Sequence, residues 1–266
     1  MSLDTPFVDI HCHLLPGVDD GATDLDMSLE LIEQGLVDGI GTWLVTPHVL
    51  EEFDEETDQR LCAAYDRLRE AVVRRALPAE LAMGSEIMFQ TNVAAVKARR
   101  AATFDGNGKY LLMEFPMGFV PGHADEVLFD FQRAGITPVI AHPERNAALA
   151  EHPRTIAQMV DRGLLMQVNA RSLDENAPPP VRRLAEYLVR HGLAHFVASD
   201  AHHPQARPAR LRTSWERICE IADEPTANLL CIENPRAAIA GERVRAPSYR
   251  PHVKMPWWLR LLERLS

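Results

Sequence analysis

Cysteine is scarce in this chain: four residues (Cys12, Cys62, Cys219, Cys231) among 266, with no Cys-x-x-Cys pair. That excludes a disulfide scaffold and a thiolate zinc ribbon, and fits free thiols in a reducing compartment, read here as the cytoplasm. No arginine stands six places after any of them; those positions hold Val18, Leu68, Pro225 and Ala237. A Cys-x5-Arg phosphate loop is therefore ruled out, and the nucleophile is not a cysteine. No apolar run nears the roughly 18 residues that a membrane-spanning helix needs. The basic and then apolar opening of a secretory signal is not seen either. Positive charge is in deficit: 28 Lys and Arg against 38 Asp and Glu give -10. That balance argues against a nucleic-acid partner.

What is present starts at Phe7-Val8-Asp9-Ile10-His11-Cys12-His13. Its apolar first half reads as a buried strand ending in His-x-His. The chain then breaks at Pro16-Gly17 into a loop carrying Asp19 and Asp20. Residues two apart on a strand share a face, so His11 and His13 project together while Cys12 points away. Two imidazoles at a strand end, with carboxylates in the next loop, suit a divalent cation.

The rest of the chain repeats one pattern. Apolar positions at helical spacing occupy 25–36, 61–72, 125–134, 155–162, 181–191 and 211–222, with shorter helices expected over 226–230 and after Pro235. Between them lie strand-like runs at 42–46, 80–83, 110–113, 137–141, 164–168 and 195–198. Strand, polar loop and helix in alternation predict a parallel sheet covered by helices. The ends of these runs carry His48, Glu86, Glu114, His142, Asp200 and His202. So many strand ends meet at one point only if the sheet closes. We therefore expect a single-domain α/β fold over residues 1–243, a TIM-like barrel of about seven β/α units with its site at the C-terminal face.

Nine side chains are candidate ligands: His11, His13, Asp20, His48, Glu86, Glu114, His142, Asp200 and His202. Asp19 competes with Asp20 for one place, and Asp20, next to Gly21, is preferred. One cation takes four to six ligands, so this number points to two or three. A mixed nitrogen and oxygen set without thiolate suits Mn, Fe or Zn better than Ca or Mg.

These motifs resemble the polymerase-and-histidinol-phosphatase (PHP) superfamily, and within it the metal-dependent tyrosine-protein phosphatases of bacterial capsular-polysaccharide systems. The matching text runs from Asp9-Ile-His-Cys-His-Leu-Leu-Pro-Gly-Val-Asp-Asp-Gly21 through Thr46-Pro-His48, Gly84-Ser-Glu86 and Tyr110-Leu-Leu-Met-Glu114. It continues with Pro138-Val-Ile-Ala-His-Pro-Glu-Arg-Asn146, Phe196-Val-Ala-Ser-Asp-Ala-His202 and Arg207-Pro208. The resemblance implies a distorted (β/α)7 barrel with a trinuclear site, usually manganese. It implies one ion on His11, His13, Glu86 and Asp200, a second on Glu86, Glu114 and His142, and a third on Asp20, His48 and His202. Arg145 and Arg207 match arginines that grip phosphate. A phosphorylated tyrosine kinase or other protein is the implied substrate. A homo-oligomer is also implied, although Ser28-Leu-Glu-Leu-Ile-Glu-Gln34 lacks the arginines of the Glu-x-x-Arg-x-Arg assembly pattern.

The expected chemistry is phosphate monoester hydrolysis by a metal-activated hydroxide, without a covalent intermediate. Histidinol phosphate or another small phosphate ester is the alternative substrate, and phosphodiester cleavage is a further one. An amidohydrolase also uses a first-strand His-x-His, but Lys97, Lys109 and Lys254 do not stand at strand ends to supply its bridging group. A metal-bound binding subunit of a polysaccharide-assembly complex is the non-enzymatic alternative. Residues 244–266 read as a tail with an amphipathic segment, Pro256-Trp-Trp-Leu-Arg-Leu-Leu-Glu-Arg-Leu265. Such a segment most often packs on its own domain or on a partner, and membrane contact is the less favoured reading.

Overall fold

The computed structural model describes residues 5–247. Its elements in chain order begin with β1 (Phe7–Cys12), α1 (Leu25–Asp38), β2 (Ile40–Val45), β3 (His48–Val49), α2 (Glu55–Arg74), β4 (Glu80–Met83), β5 (Glu86–Met88) and α3 (Val93–Lys97). They continue with β6 (Tyr110–Glu114), α4 (Ala124–Arg133), β7 (Thr137–Ala141), α5 (Ala147–Glu151), α6 (Pro153–Asp161), β8 (Leu165–Asn169), α7 (Pro179–Arg190) and β9 (Phe196–Ala198). The described chain closes with α8 (Arg212–Ile221), α9 (Glu224–Asn228), a wide turn over Leu229–Glu233 and α10 (Asn234–Ile239).

All strand pairs are parallel, in the orders β1-β2-β4 and β3-β5-β6-β7-β8-β9. These two sets form one barrel because two of its strands are interrupted. Thr46-Pro47 separates β2 from β3, where proline has no N–H for the ladder. Gly84-Ser85 separates β4 from β5. The Gly84 N–H donates to the Val45 carbonyl at 2.9 Å and the Glu86 N–H to the Pro47 carbonyl at 3.0 Å, so the ladder continues across both breaks. The ring closes between β9 and β1: the Asp200 N–H donates to the His11 carbonyl, and the His13 N–H to the Ala201 carbonyl, both at 2.8 Å. Seven strand positions result, as the sequence leads one to expect, and both interrupted strands break beside site residues.

Alternation along the strands separates two cores. Val8, Ile10, Leu44, Leu112, Val139, Ala141, Phe196 and Ala198 fill the barrel interior. Trp43, Val45, Leu111, Met113, Ile140, Met166 and Val197 face outward under the helices. In β1 the register against β2 shifts between Asp9 and Cys12. Cys12 joins the outer core and its thiol donates to the Leu44 carbonyl at 3.3 Å, while His11 and His13 turn to the mouth.

Helix boundaries follow local chemistry. Asp24 and Asp54 cap α1 and α2 by accepting from the Met27 and Thr57 N–H groups. Gly39 ends α1 with φ of 104°. The helix expected over 155–162 begins instead at Pro153, a favoured first-turn residue, and follows the separate short α5. The expected tail begins inside the described region. There the Val244 N–H donates to the Tyr110 hydroxyl and the Arg245 N–H to Asn234 Oδ1. Its amphipathic segment lies outside the described residues. No helix among the described residues is long and apolar enough to cross a membrane.

Candidate metal centre

The site is built from imidazoles held by their outer nitrogens. His11 Nδ1 donates to Gln167 Oε1, His13 Nδ1 to Asp19 Oδ2, and His202 Nδ1 to the Asp200 carbonyl, each at 2.9 Å. These oxygens can only accept, so in each neutral ring the proton sits on Nδ1 and the Nε2 lone pair faces inward. The loop carrying Asp19 is drawn tight by two hydrogen bonds, Ala22 N–H to the His13 carbonyl and Gly17 N–H to the Ala22 carbonyl. Asp19 also accepts from the Gly21 and His48 N–H groups. It is thereby occupied as a support, and Asp20 is left facing the cluster.

All nine candidate ligands converge. Glu86 is central: its Oε2 lies 3.0 Å from His11 Nε2, 3.3 Å from His13 Nε2 and 3.0 Å from His48 Nδ1, and its Oε1 lies 3.0 Å from His142 Nε2. Asp200 Oδ1 is 3.5 Å from Nε2 of both His11 and His13. Asp20, on the exposed rim, places Oδ1 3.4 Å from Nε2 of His48 and of His202. Glu114 Oε1 is 3.7 Å from His142 Nε2.

Four groups offer nitrogen or oxygen atoms that all lie within 4.8 Å of one another: His13, Asp20, His48 and His202; His11, Glu86 and His142; His11, His13 and Asp200; His48, Glu86 and Glu114. They overlap the sets implied by the family resemblance without repeating them, since His13 joins the rim group and Glu114 stands with His48. His48 Nδ1, Glu86 Oε2 and His202 Nε2 are buried and, despite their close neighbours, make no well-directed hydrogen bond. Buried polar atoms are nearly always partnered. Buried imidazole and carboxylate atoms crowded together without well-directed hydrogen bonds, in one nitrogen and oxygen pocket, fit divalent cations such as Mn, Fe or Zn.

The charges are strongly coupled. Burial raises the Glu86 and Asp200 carboxyls, but His11 and the neighbouring imidazoles outweigh it and hold both well below the usual carboxylate range. Burial pushes Glu114 up, reinforced by Glu86. Burial and the nearby His13 bring His202 down to about 3. Burial also opposes charge on His142, yet Glu86 lifts that ring to about 9.

Arg145 and Arg207 meet the same atom. Their guanidinium groups donate to Asp200 Oδ2 at 2.8 and 2.5 Å, and the Asn169 amide joins them at 2.6 Å. His142 and Asp200 take left-handed backbone angles, φ of 30° and 54°. For non-glycine residues this is a sparsely populated region, held here by the ends of β7 and β9. The His142 N–H donates to Gln167 Oε1 and the Asp200 N–H to the His11 carbonyl.

The family model for capsular polysaccharide synthesis, CpsB/CapC, matches residues 7–240, the span that holds the whole cluster. The chain belongs to the CpsB/CapC family. Among curated relatives it is 35% identical over 200 residues to the tyrosine-protein phosphatase YwqE of Bacillus subtilis, covering 75% of this chain and 79% of that one. It is 26% identical over 242 residues to the tyrosine-protein phosphatase CpsB of Streptococcus pneumoniae, covering 89% and 100%. Among solved structures it is similar to a chain from the crystal structures of YwqE from Bacillus subtilis and CpsB from Streptococcus pneumoniae, described as unique metal-dependent tyrosine phosphatases. The TM-score is 0.83 at 29% identity, over 93% of this chain and 100% of that one. The lactonase Lmo2620 from Listeria monocytogenes, at 14% identity and TM-score 0.60, shares the fold.

Sequence reasoning about this CpsB/CapC chain found the inward-facing groups and missed their supports. Gln167 and Asn169 lie two apart on β8, inside an otherwise apolar run, and that break in the run was the available signal. Gln167 holds His11 and His142, while Asn169 holds Asp200. Below them, the buried Asp9 carboxylate accepts from the Ser199 hydroxyl at 2.5 Å and from the Ser199 N–H at 3.0 Å, joining β1 to β9. Burial lifts Asp9 to about 6 against those hydrogen bonds.

Proposed function

We propose that the protein is a metal-dependent phosphatase that hydrolyses phosphotyrosine in proteins, a phosphorylated tyrosine kinase of capsular or exopolysaccharide synthesis being the substrate we favour. The observation that carries this reading is the buried set of unpartnered histidine and carboxylate atoms beside two arginines that share Asp200 Oδ2. The names of the curated relatives support it. Two or three Mn2+ ions on His11, His13, Asp20, His48, Glu86, Glu114, His142, Asp200 and His202 are our reading of the cofactor. Bound there, they would supply Lewis acidity toward phosphate oxygens and lower the pKa of water at the site.

The chain's own groups do the rest. Gln167 and Asp19 fix the faces of His11 and His13, and burial keeps bulk water from the cluster. Arg145 and Arg207 each use one donor on Asp200 and retain others for phosphate oxygens, in a planar geometry suited to bidentate contact. A phenolate leaving group, with a pKa near 10, needs less protonation on departure than an alkoxide. Four free cysteines support a cytoplasmic setting.

The test is hydrolysis by chelator-stripped and metal-reloaded protein. Phosphotyrosine peptide, para-nitrophenyl phosphate, histidinol phosphate and a phosphodiester are run in parallel, with wild type and His11→Ala. The reading expects manganese-dependent release from the phosphotyrosine peptide, lost in His11→Ala. Turnover of histidinol phosphate or the diester alone would overturn the substrate, and full activity after stripping would overturn the metal.

A further inference from the structure

Beside the metal cluster lies a pocket of about 430 Å³ bordered by Met117, Arg145, Asn169, Arg171, Asp174 and Arg207. Two of its three arginines are engaged by Asp200. The third is not: among the described residues the exposed Arg171 guanidinium makes no ion pair within 4 Å, and the one carboxylate on the pocket wall, the half-buried Asp174, feels its charge only at longer range. The Arg171 main chain is held in place. Its N–H donates to Asn169 Oδ1 at 3.0 Å, and the Asn169 amide donates to Asp200 Oδ2. The Arg171 backbone is thereby tied to Asp200, the residue that also anchors Arg145 and Arg207, and its exposed guanidinium stands at the pocket edge. Part of the border is apolar, with Met117 half-exposed on the loop after β6. Such a thioether can lie against an aromatic ring.

We propose that this pocket receives the peptide next to the phosphotyrosine, and that Arg171 selects an acidic side chain there; the inference rests on the phosphatase reading above. The preference opposes the molecule's overall field. A chain of formal charge -10 repels an acidic peptide at long range, so selection for a carboxylate has to come from a local cation. Arg171 supplies planar donors matched to that group.

The test compares kcat/KM for two phosphotyrosine peptides that differ only in glutamate or glutamine at the positions flanking the phosphotyrosine. The manganese-loaded full-length protein, Arg171→Gln and Arg171→Glu are each assayed. The ratio is taken within each enzyme, so changes in overall rate cancel. Wild type should favour the glutamate peptide about fivefold, the upper range for an exposed ion pair. Arg171→Gln should lose the preference and Arg171→Glu should reverse it. Equal use of both peptides by wild type, or a ratio unchanged in Arg171→Gln, overturns the inference and leaves the phosphatase reading standing. Release from neither peptide overturns that reading, and this inference with it.

Discussion

The Arg207 guanidinium meets Asp200 Oδ2 at 2.5 Å, while the other oxygen of the same carboxylate, Oδ1, faces His11 and His13 at 3.5 Å. One residue thus joins the arginine side of the site to the imidazole side. Arg207→Lys keeps the charge and loses the planar fork. We expect kcat/KM for a phosphotyrosine peptide to fall about tenfold to a hundredfold, in line with loss of a hydrogen bond to a charged group. Steady-state kinetics check it; an unchanged value would remove Arg207 from phosphate binding.

The loop that supports His13 has no room for a side chain at Gly21. A Cβ there would lie 2.3 Å from the His13 carbonyl oxygen and 2.4 Å from His13 Cβ. Gly21→Ala should displace the loop, free Asp19 from His13 and lower the metal bound per chain, with little change in helix content. Gly118→Ala is the control, since a Cβ there meets nothing within 4 Å. Metal analysis after gel filtration, with circular dichroism, reads both; equal metal content in the two variants contradicts the expectation.

Burial holds the His195 ring down to about 4, and its Nδ1 accepts from the Met166 N–H. Between pH 6.5 and 4 the unfolded chain binds a proton that the folded chain refuses. The stability supplied by the neutral ring is therefore complete above pH 6.5 and is lost as pH falls toward 4, by about 3 kcal/mol in all. His195→Asn retains an acceptor and cannot titrate. Its urea-unfolding midpoint should fall less than that of wild type between pH 7 and 5. Parallel declines would contradict the assignment.

Burial opposes charge on both His13 and His142, but the carboxylates around them win. Asp19, Asp200 and Glu86 raise His13 well above its usual range, and Glu86 brings His142 to about 9. Without metal both rings carry protons at neutral pH, and a cation has to expel them. Manganese binding should release protons and tighten as pH rises from 6 toward 9. Titration calorimetry in buffers of different ionisation enthalpy measures this release, and an enthalpy independent of buffer would contradict it.

Much of the barrel was legible because its strands are buried on both faces, and such strands read as apolar runs that end in polar residues. Leu111-Leu112-Met113-Glu114 and Val139-Ile140-Ala141-His142 announce both a strand and a site residue at its end. The breaks at Thr46-Pro47 and Gly84-Ser85 were less legible, since only the closed ring shows that each interrupts one strand. The stretch after β5 was opaque because its short helix and 3₁₀ turns lack a sustained period. Inward-facing histidines and carboxylates were visible as residue types. Their supports were not, because the bond from His11 Nδ1 to Gln167 spans residues far apart in sequence. Asp19 and Asp20 differ only in where their loop turns them, a matter of the hydrogen bonds at Gly21 and His48.

The proposed activity depends on this cluster of imidazoles and carboxylates being a metal centre. Anomalous diffraction from manganese-loaded crystals, collected on both sides of the manganese absorption edge, addresses it most directly. Two or three peaks should appear among His11, His13, Asp20, His48, Glu86, Glu114, His142, Asp200 and His202, with Glu86 beside more than one. Manganese-loaded crystals with no peak among these residues would contradict it.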